Sequence, residues 1–226
     1  MQASEFTLAT TVKKTLGVTG HPTVGSVDPT VTVYVHYIPK NASSFLQEIL
    51  QQNQWNDVVS AHRLLCNRWP IYHQLAIIRD PVCRWISGIS EFLSYVFTDI
   101  DMVNQHWSSI QKIIFWQPYQ DTHTAPQCEF FHEHVIDQFR FILLEPQQNI
   151  NQQLKHWADS ISLTLNGLDN SVPINATETF DQKQQIYNWV KQTIDQNSDL
   201  KNSIKEYYHS DYQLIQWITE NKKWIQ

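Results

Sequence analysis

Two short runs constrain this chain more than any other feature. Gln74–Arg79 carries Leu75-Ala76-Ile77-Ile78, and Phe139–Leu144 is apolar at every position except Arg140. A strand with one face in water alternates apolar and polar residues. Near-continuous apolar runs belong instead to strands covered on both faces, as in a parallel sheet under helices. Each run is followed by an acidic residue and a proline, Asp80-Pro81 and Glu145-Pro146. Asp80 reads as a helix N-cap with Pro81 at the first helical position. Val82, Trp85, Ile86, Ile89, Phe92 and Leu93 then form one apolar stripe. An earlier unit repeats the plan: Val31–Tyr37 reads as a strand and Ser43–Gln52 as an N-capped helix, with Phe45, Leu46, Ile49 and Leu50 on one face.

Strand and helix in alternation predict an α/β fold, a parallel β-sheet flanked by helices. Val58–Ser60 adds a short strand, and a helix is expected near Asn149–Ser160. Thr98–Pro126 is aromatic and irregular or helical. The C-terminal part reads as helical over Thr179–Gln196, Leu200–Tyr208 and Tyr212–Trp224. Residues 1–30 read as a loosely structured N-terminal arm and 31–226 as a single domain, a length that supports a sizeable core. Hydrophobic residues make up 42% of the chain, which excludes disorder.

The net charge of −6 excludes a general nucleic-acid surface. Positive charge for any anion must therefore be local. Cys66, Cys83 and Cys128 are widely spaced and odd in number, so they specify no disulfide framework and read as thiols. No 18-residue apolar run occurs. The expectation is a soluble, cytoplasmic protein without membrane insertion. The sequons at Asn41 and Asn175 read as chance matches.

Ligands of open α/β sheets gather at the carboxyl ends of the strands. Pro39-Lys40-Asn41-Ala42-Ser43-Ser44-Phe45 lies at one such end, between strand and helix. The first N–H groups of a helix lack intrahelical partners and carry partial positive charge. Small residues let an anion approach them, two hydroxyls add donors, and Lys40 adds a full charge. The loop has no glycine and its lysine comes first, so it is not a Walker A loop. At the second strand end, Arg79 offers bidentate donors to a phosphate, with Ser87 two turns into the next helix and Arg84 nearby.

Pro39–Phe45 resembles the 5′-phosphosulfate loop of sulfotransferases that use 3′-phosphoadenosine 5′-phosphosulfate (PAPS). Ile77-Ile78-Arg79-Asp80-Pro81-Val82-Cys83-Arg84-Trp85-Ile86-Ser87-Gly88 resembles their 3′-phosphate motif. The likeness is nearest to carbohydrate sulfotransferases of the Golgi and heparan 2-O types. His106-Trp107, Cys128, Phe139–Glu145 and Tyr207-Tyr208-His209-Ser210-Asp211-Tyr212 resemble later landmarks of that group. Golgi members carry an N-terminal membrane anchor, which this protein is not expected to carry, and Asn41 stands where Thr, Val or Ala is usual.

The resemblance implies a P-loop-like fold and sulfuryl transfer from PAPS, with no metal, to a hydroxyl of a carbohydrate or glycoconjugate. It implies PAPS-binding roles for Lys40, Asn41, Ala42, Ser43, Ser44, Phe45, Arg79 and Ser87. Lys40 would also be catalytic, stabilising the bridging oxygen as adenosine 3′,5′-bisphosphate leaves. The acceptor hydroxyl needs a base, and histidine has the appropriate pKa. The resemblance points to His62, between the two motifs, while His36 and His73 read as structural and His106 as a possible substrate contact in a loop-like segment.

Other readings stay open at this level. Cys128, His132, His134 and His123 are zinc-type ligands, but their spacing fits no tight motif. Trp107 or Trp116 could stack on a sugar. Arg63, Arg68 and Lys112 are too few for a basic strip, so a neutral or lightly charged acceptor is expected. Rival functions are a P-loop-type kinase using magnesium-ATP and an inactive nucleotide-binding or scaffold module. The sequence does not set the oligomeric state.

Overall fold

The structure is a computed structural model that describes residues 24–59, 71–116, 122–131, 136–145, 149–168 and 181–225. Its strands are β1 (Val24–Val27), β2 (Val33–Tyr37), β3 (Asn56–Val59), β4 (His73–Arg79) and β5 (Phe139–Leu144). The helices among the described residues are α1 (Ser43–Gln52), α2 (Pro81–Val96), α3 (Ile100–Trp116), α4 (Ile150–Ser160), α5 (Asp181–Gln196), α6 (Ser198–Tyr207) and α7 (His209–Glu220). The chain divides into two compact units. One holds the described residues of 1–80, 126–174 and 210–226, and the other those of 81–125 and 175–209.

The first unit carries the sheet, with strand order β3-β1-β2-β4-β5. β2, β4 and β5 run parallel, with Val33 opposite His73 and Gln74 opposite Phe139. β1 runs antiparallel to both β2 and β3. The sheet is therefore mixed, which corrects the wholly parallel expectation. The reason is β1 itself, which forms within residues assigned to the arm. Joined to β2 by a tight turn, it can only lie antiparallel. The turn also moves the start of β2 from Val31 to Val33, because Val31 takes a left-handed φ of 56°.

Val33, Val35, Leu75, Ile77 and Ile142 face one way and pack with Phe45, Leu46, Ile49 and Leu50 of α1 and Leu154 and Trp157 of α4. On the opposite face His36 is buried among aromatic rings, 5.2 Å from Phe131 and 5.9 Å from Phe139 between centroids. Its Nδ1 lies 2.8 Å from the Tyr34 hydroxyl, so it is a core residue. Asp57 of β3 ties α1 down, accepting from Gln47 at 3.0 Å and Gln51 at 3.1 Å.

The second unit is helical. Lys183 of α5 meets Glu91 of α2 at 3.2 Å, and Trp107 of α3 stands edge-on to Trp189 of α5, 4.9 Å between centroids. His106 lies on α3, not in a loop, and stacks on Phe97. Arg84 is fully buried and donates to the carbonyls of Ala125 and Thr122. Gly88 sits where a Cβ would come within 2.5 Å of the His123 carbonyl oxygen, so the helix admits only glycine there without moving the 122–125 segment. Among the described residues no helix is long and apolar enough to cross a membrane.

Candidate functional site

The site begins with the backbone between β2 and α1. Lys40 (φ 69°) and Ala42 (φ 59°) are both left-handed, and Asn41 between them is not. Each non-glycine residue in this region costs about 1–2 kcal/mol, so the loop stores strain that its surroundings hold in place. Alternation of this kind turns successive N–H groups toward a common concavity that suits anions.

The helix start is also open. Ala42 occupies the N-cap position, and no side chain caps it among the described residues, which corrects the N-capped helix read from sequence. The Asn41 N–H is used by the Ile38 carbonyl, and the first helical bond runs from Leu46 N to Ala42 O. Between them, the N–H groups of Ala42, Ser43, Ser44 and Phe45 have no hydrogen-bond partner among the described residues. Ser44 is exposed and Ser43 half-buried, while the Phe45 side chain is in the core and can offer only its backbone to a ligand.

Arg79, the last residue of β4, comes to the same place. Its Nη1 lies 3.4 Å from the Lys40 carbonyl oxygen. Two cationic residues 39 positions apart thus share one edge of the sheet, at the carboxyl ends of adjacent parallel strands. Tyr212 of α7 donates to Asp80 at 3.3 Å beside that strand end.

Asn41 has a different place from the one expected. It is 1% exposed, and its Nδ2 donates to Ile77 O at 2.8 Å and to Gln127 Oε1 at 2.6 Å. Its side chain faces the protein and braces the loop against β4. Those bonds and that burial also leave the Asn41 sequon inaccessible in the folded chain. Gln127 is the junction: Oε1 also accepts from Arg79 N at 2.9 Å, and Nε2 donates to Arg79 O at 2.7 Å. Asp211, fully buried, caps the short 3-10 turn Gln127–Phe130 by accepting from Gln127 N and Cys128 N, each at 2.9 Å. Burial, together with the nearby Asp211 charge, pushes the Cys128 thiol well above the ordinary range, so it is an inert core group.

Sequence reasoning missed Gln127. One glutamine in a glutamine-rich chain carries no signal, and its role follows only from the fold. Asp211 falls in the Tyr207–Tyr212 segment, and the sequence alone attaches no role to it.

Ser87 is half-buried on α2 in the helical unit, while Lys40 and Arg79 belong to the sheet unit. His62, Arg63, Arg68, His132, His134 and Asn175 lie outside the described residues. The arrangement within the sheet unit can bind a compact, multiply charged anion at an open helix start. No family model, no curated protein and no solved structure matches this chain.

Proposed function

We propose that this chain is a sulfotransferase that moves the sulfuryl group of PAPS to a hydroxyl of a carbohydrate or glycoconjugate, on a P-loop-like sheet edge. One observation carries the reading most: the Arg79 guanidinium lies against the Lys40 carbonyl, beside a helix start whose N–H groups are unpartnered among the described residues. The order of the two motifs, and their likeness to the phosphosulfate loop and the 3′-phosphate segment, turn a general anion site toward PAPS.

In this reading the N–H groups of Ala42 to Phe45 and the hydroxyls of Ser43 and Ser44 hold the phosphosulfate. Lys40 stabilises the bridging oxygen, and Arg79 neutralises the bisphosphate. PAPS, when bound, supplies a sulfur centre at which the S–O bond to the 5′-phosphate breaks as a new one forms to the acceptor oxygen. The proton of the acceptor hydroxyl passes to a base, for which the resemblance offers His62. Asn41 and Gln127 serve as braces that keep Lys40 and Arg79 together. Ser87 keeps its 3′-phosphate role on motif grounds alone. Positioning and fixed charge carry such a displacement, so no metal is required.

The test is transfer of labelled sulfate from PAPS to a panel of glycans. Transfer that survives EDTA and falls by about a hundredfold or more in Lys40→Ala supports the proposal. A wild type that binds adenosine 3′,5′-bisphosphate but sulfates nothing on the panel favours a binding module instead.

A further inference from the structure

At the opposite edge of the sheet lies a half-open cavity of about 970 Å³, formed where β4 and β5 begin and where the C-terminal segment returns. β4 rises about 3.3 Å per residue, so its first residue stands about 20 Å from Arg79. This cavity is therefore separate from the Lys40 site.

The returning segment is fixed by backbone bonds. Phe141 N donates to Lys223 O at 3.0 Å and Ile225 N to Phe141 O at 2.9 Å, so Lys222, Lys223 and Trp224 are held along β5. Three cationic residues line the cavity: Arg140, Lys222 and Lys223. No carboxylate side chain lines it among the described residues. Arg140 donates to the Lys222 carbonyl at 3.1 Å and Lys223 to the Asp137 carbonyl at 2.7 Å. Neither bond neutralises a charge, and none of the three residues forms an ion pair among the described residues. In a chain of net charge −6, this is a local positive basin.

Its floor carries a second, independent feature. Gln74 lines the cavity and is 2% exposed, and its Oε1 is buried without a hydrogen-bond partner among the described residues. Its Nε2 donates to Gln138 Oε1 at 2.6 Å. Turning both amides over would satisfy Oε1 and leave Nε2 unpaired instead. Either way one buried polar atom of Gln74 lacks a partner, at a cost of about 1–3 kcal/mol. A hydroxyl, being donor and acceptor, completes either arrangement. Tyr72, largely exposed, and Trp224, half-buried, add aromatic surface to the walls.

We infer that this cavity is a binding site for an anionic saccharide, a sugar bearing carboxylate or sulfate. Its acid group sits against Arg140, Lys222 and Lys223, a ring hydroxyl pairs with Gln74, and a sugar face lies on an aromatic ring. The volume suits one or two sugar rings. The inference stands apart from the transferase reading, because it rests on other residues at the other strand ends.

The experiment is calorimetric titration of the full chain with a sulfated, uronate-containing tetrasaccharide, with an uncharged tetrasaccharide, and with inorganic sulfate. The wild type is expected to bind the acidic tetrasaccharide. The exposed pair Arg140→Gln with Lys222→Gln weakens that binding by about tenfold or more, and Gln74→Leu weakens it by a smaller factor. Affinity for adenosine 3′,5′-bisphosphate is the same in all these proteins, which separates this site from the Lys40 site. Absence of binding, or binding indifferent to the double substitution, overturns the inference. So does equal binding of the uncharged sugar, or of sulfate ion alone.

Discussion

Two glycine-free turns bracket β2, and they handle the same strain in opposite ways. At the start of the strand, Val31 is left-handed at φ 56°, a costly conformation for a β-branched residue. Asp28 answers for it. Its carboxylate accepts from Thr32 N and Val33 N, each at 2.6 Å, from Thr30 N at 3.1 Å, and from the Thr30 hydroxyl. At the end of the strand, Lys40 and Ala42 are left-handed as well, yet among the described residues no side chain caps the helix that follows. The first turn is closed on itself by an internal anion. The second presents the same kind of donors at a helix start where the N–H groups of Ala42 to Phe45 have no hydrogen-bond partner among the described residues. Strain with its hydrogen bonds satisfied is architecture, whereas strain beside unpaired donors points to a ligand.

The largest expected effect lies at the closed turn. Asp28→Ala removes an acceptor from several donors and is expected to cost about 3 kcal/mol, read from urea unfolding. Lys40→Ala at the open turn is expected to change stability by less than about 0.5 kcal/mol. Equal losses at the two sites would erase the distinction.

Acid sharpens the same contrast. Burial raises the Asp28 pKa, but the bonds from Thr30, Val33 and Thr32 outweigh it and hold the carboxyl below the usual value. A depressed folded-state pKa contributes stability above the unfolded pKa, near 3.9, and that stability is lost as pH falls through the folded value. The stability gap between wild type and Asp28→Asn is therefore expected to narrow below about pH 4, measured by urea midpoints across the acid range.

Next in size is the brace. Asn41→Leu strips the Ile77 carbonyl and the Gln127 amide of a donor, and is expected to cost about 2 kcal/mol. It should also weaken adenosine 3′,5′-bisphosphate binding, because the loop loses its tie to β4. Unchanged binding in a folded Asn41→Leu protein would remove Asn41 from the account. The smallest effect concerns strain alone: Ala42→Gly is expected to stabilise the protein by at most about 1 kcal/mol, since glycine accepts a positive φ. A loss of more than that by thermal melting would mean the Ala42 conformation carries no strain.

Much of the scaffold was legible in the residues themselves. The unbroken apolar runs located β4 and β5, and the proline after Asp80 marked the start of α2. β1 was not legible. Val24-Gly25-Ser26-Val27 has too few apolar residues to stand out, and it becomes a strand only because β2 and β3 pair with it. The candidate site was legible where it depends on local chemistry, as with the placing of Lys40 and Arg79 at strand ends. It was opaque where it depends on distant packing. Nothing in the residues around Gln127 announces that it joins Asn41 to Arg79 from 86 and 48 positions away. The cations of the second cavity were missed for the same reason: Arg140 and Lys222 are far apart in the chain and meet only when the C-terminal segment returns to β5.

The role proposed for the open turn after β2 is to hold the phosphosulfate of PAPS. Isothermal titration of the full chain with adenosine 3′,5′-bisphosphate tests it most directly. The account predicts binding by the wild type without magnesium, about a tenfold or greater loss in both Lys40→Ala and Arg79→Gln, and no comparable binding of magnesium-ATP. Preference for magnesium-ATP, or bisphosphate binding unchanged in both variants, would contradict it.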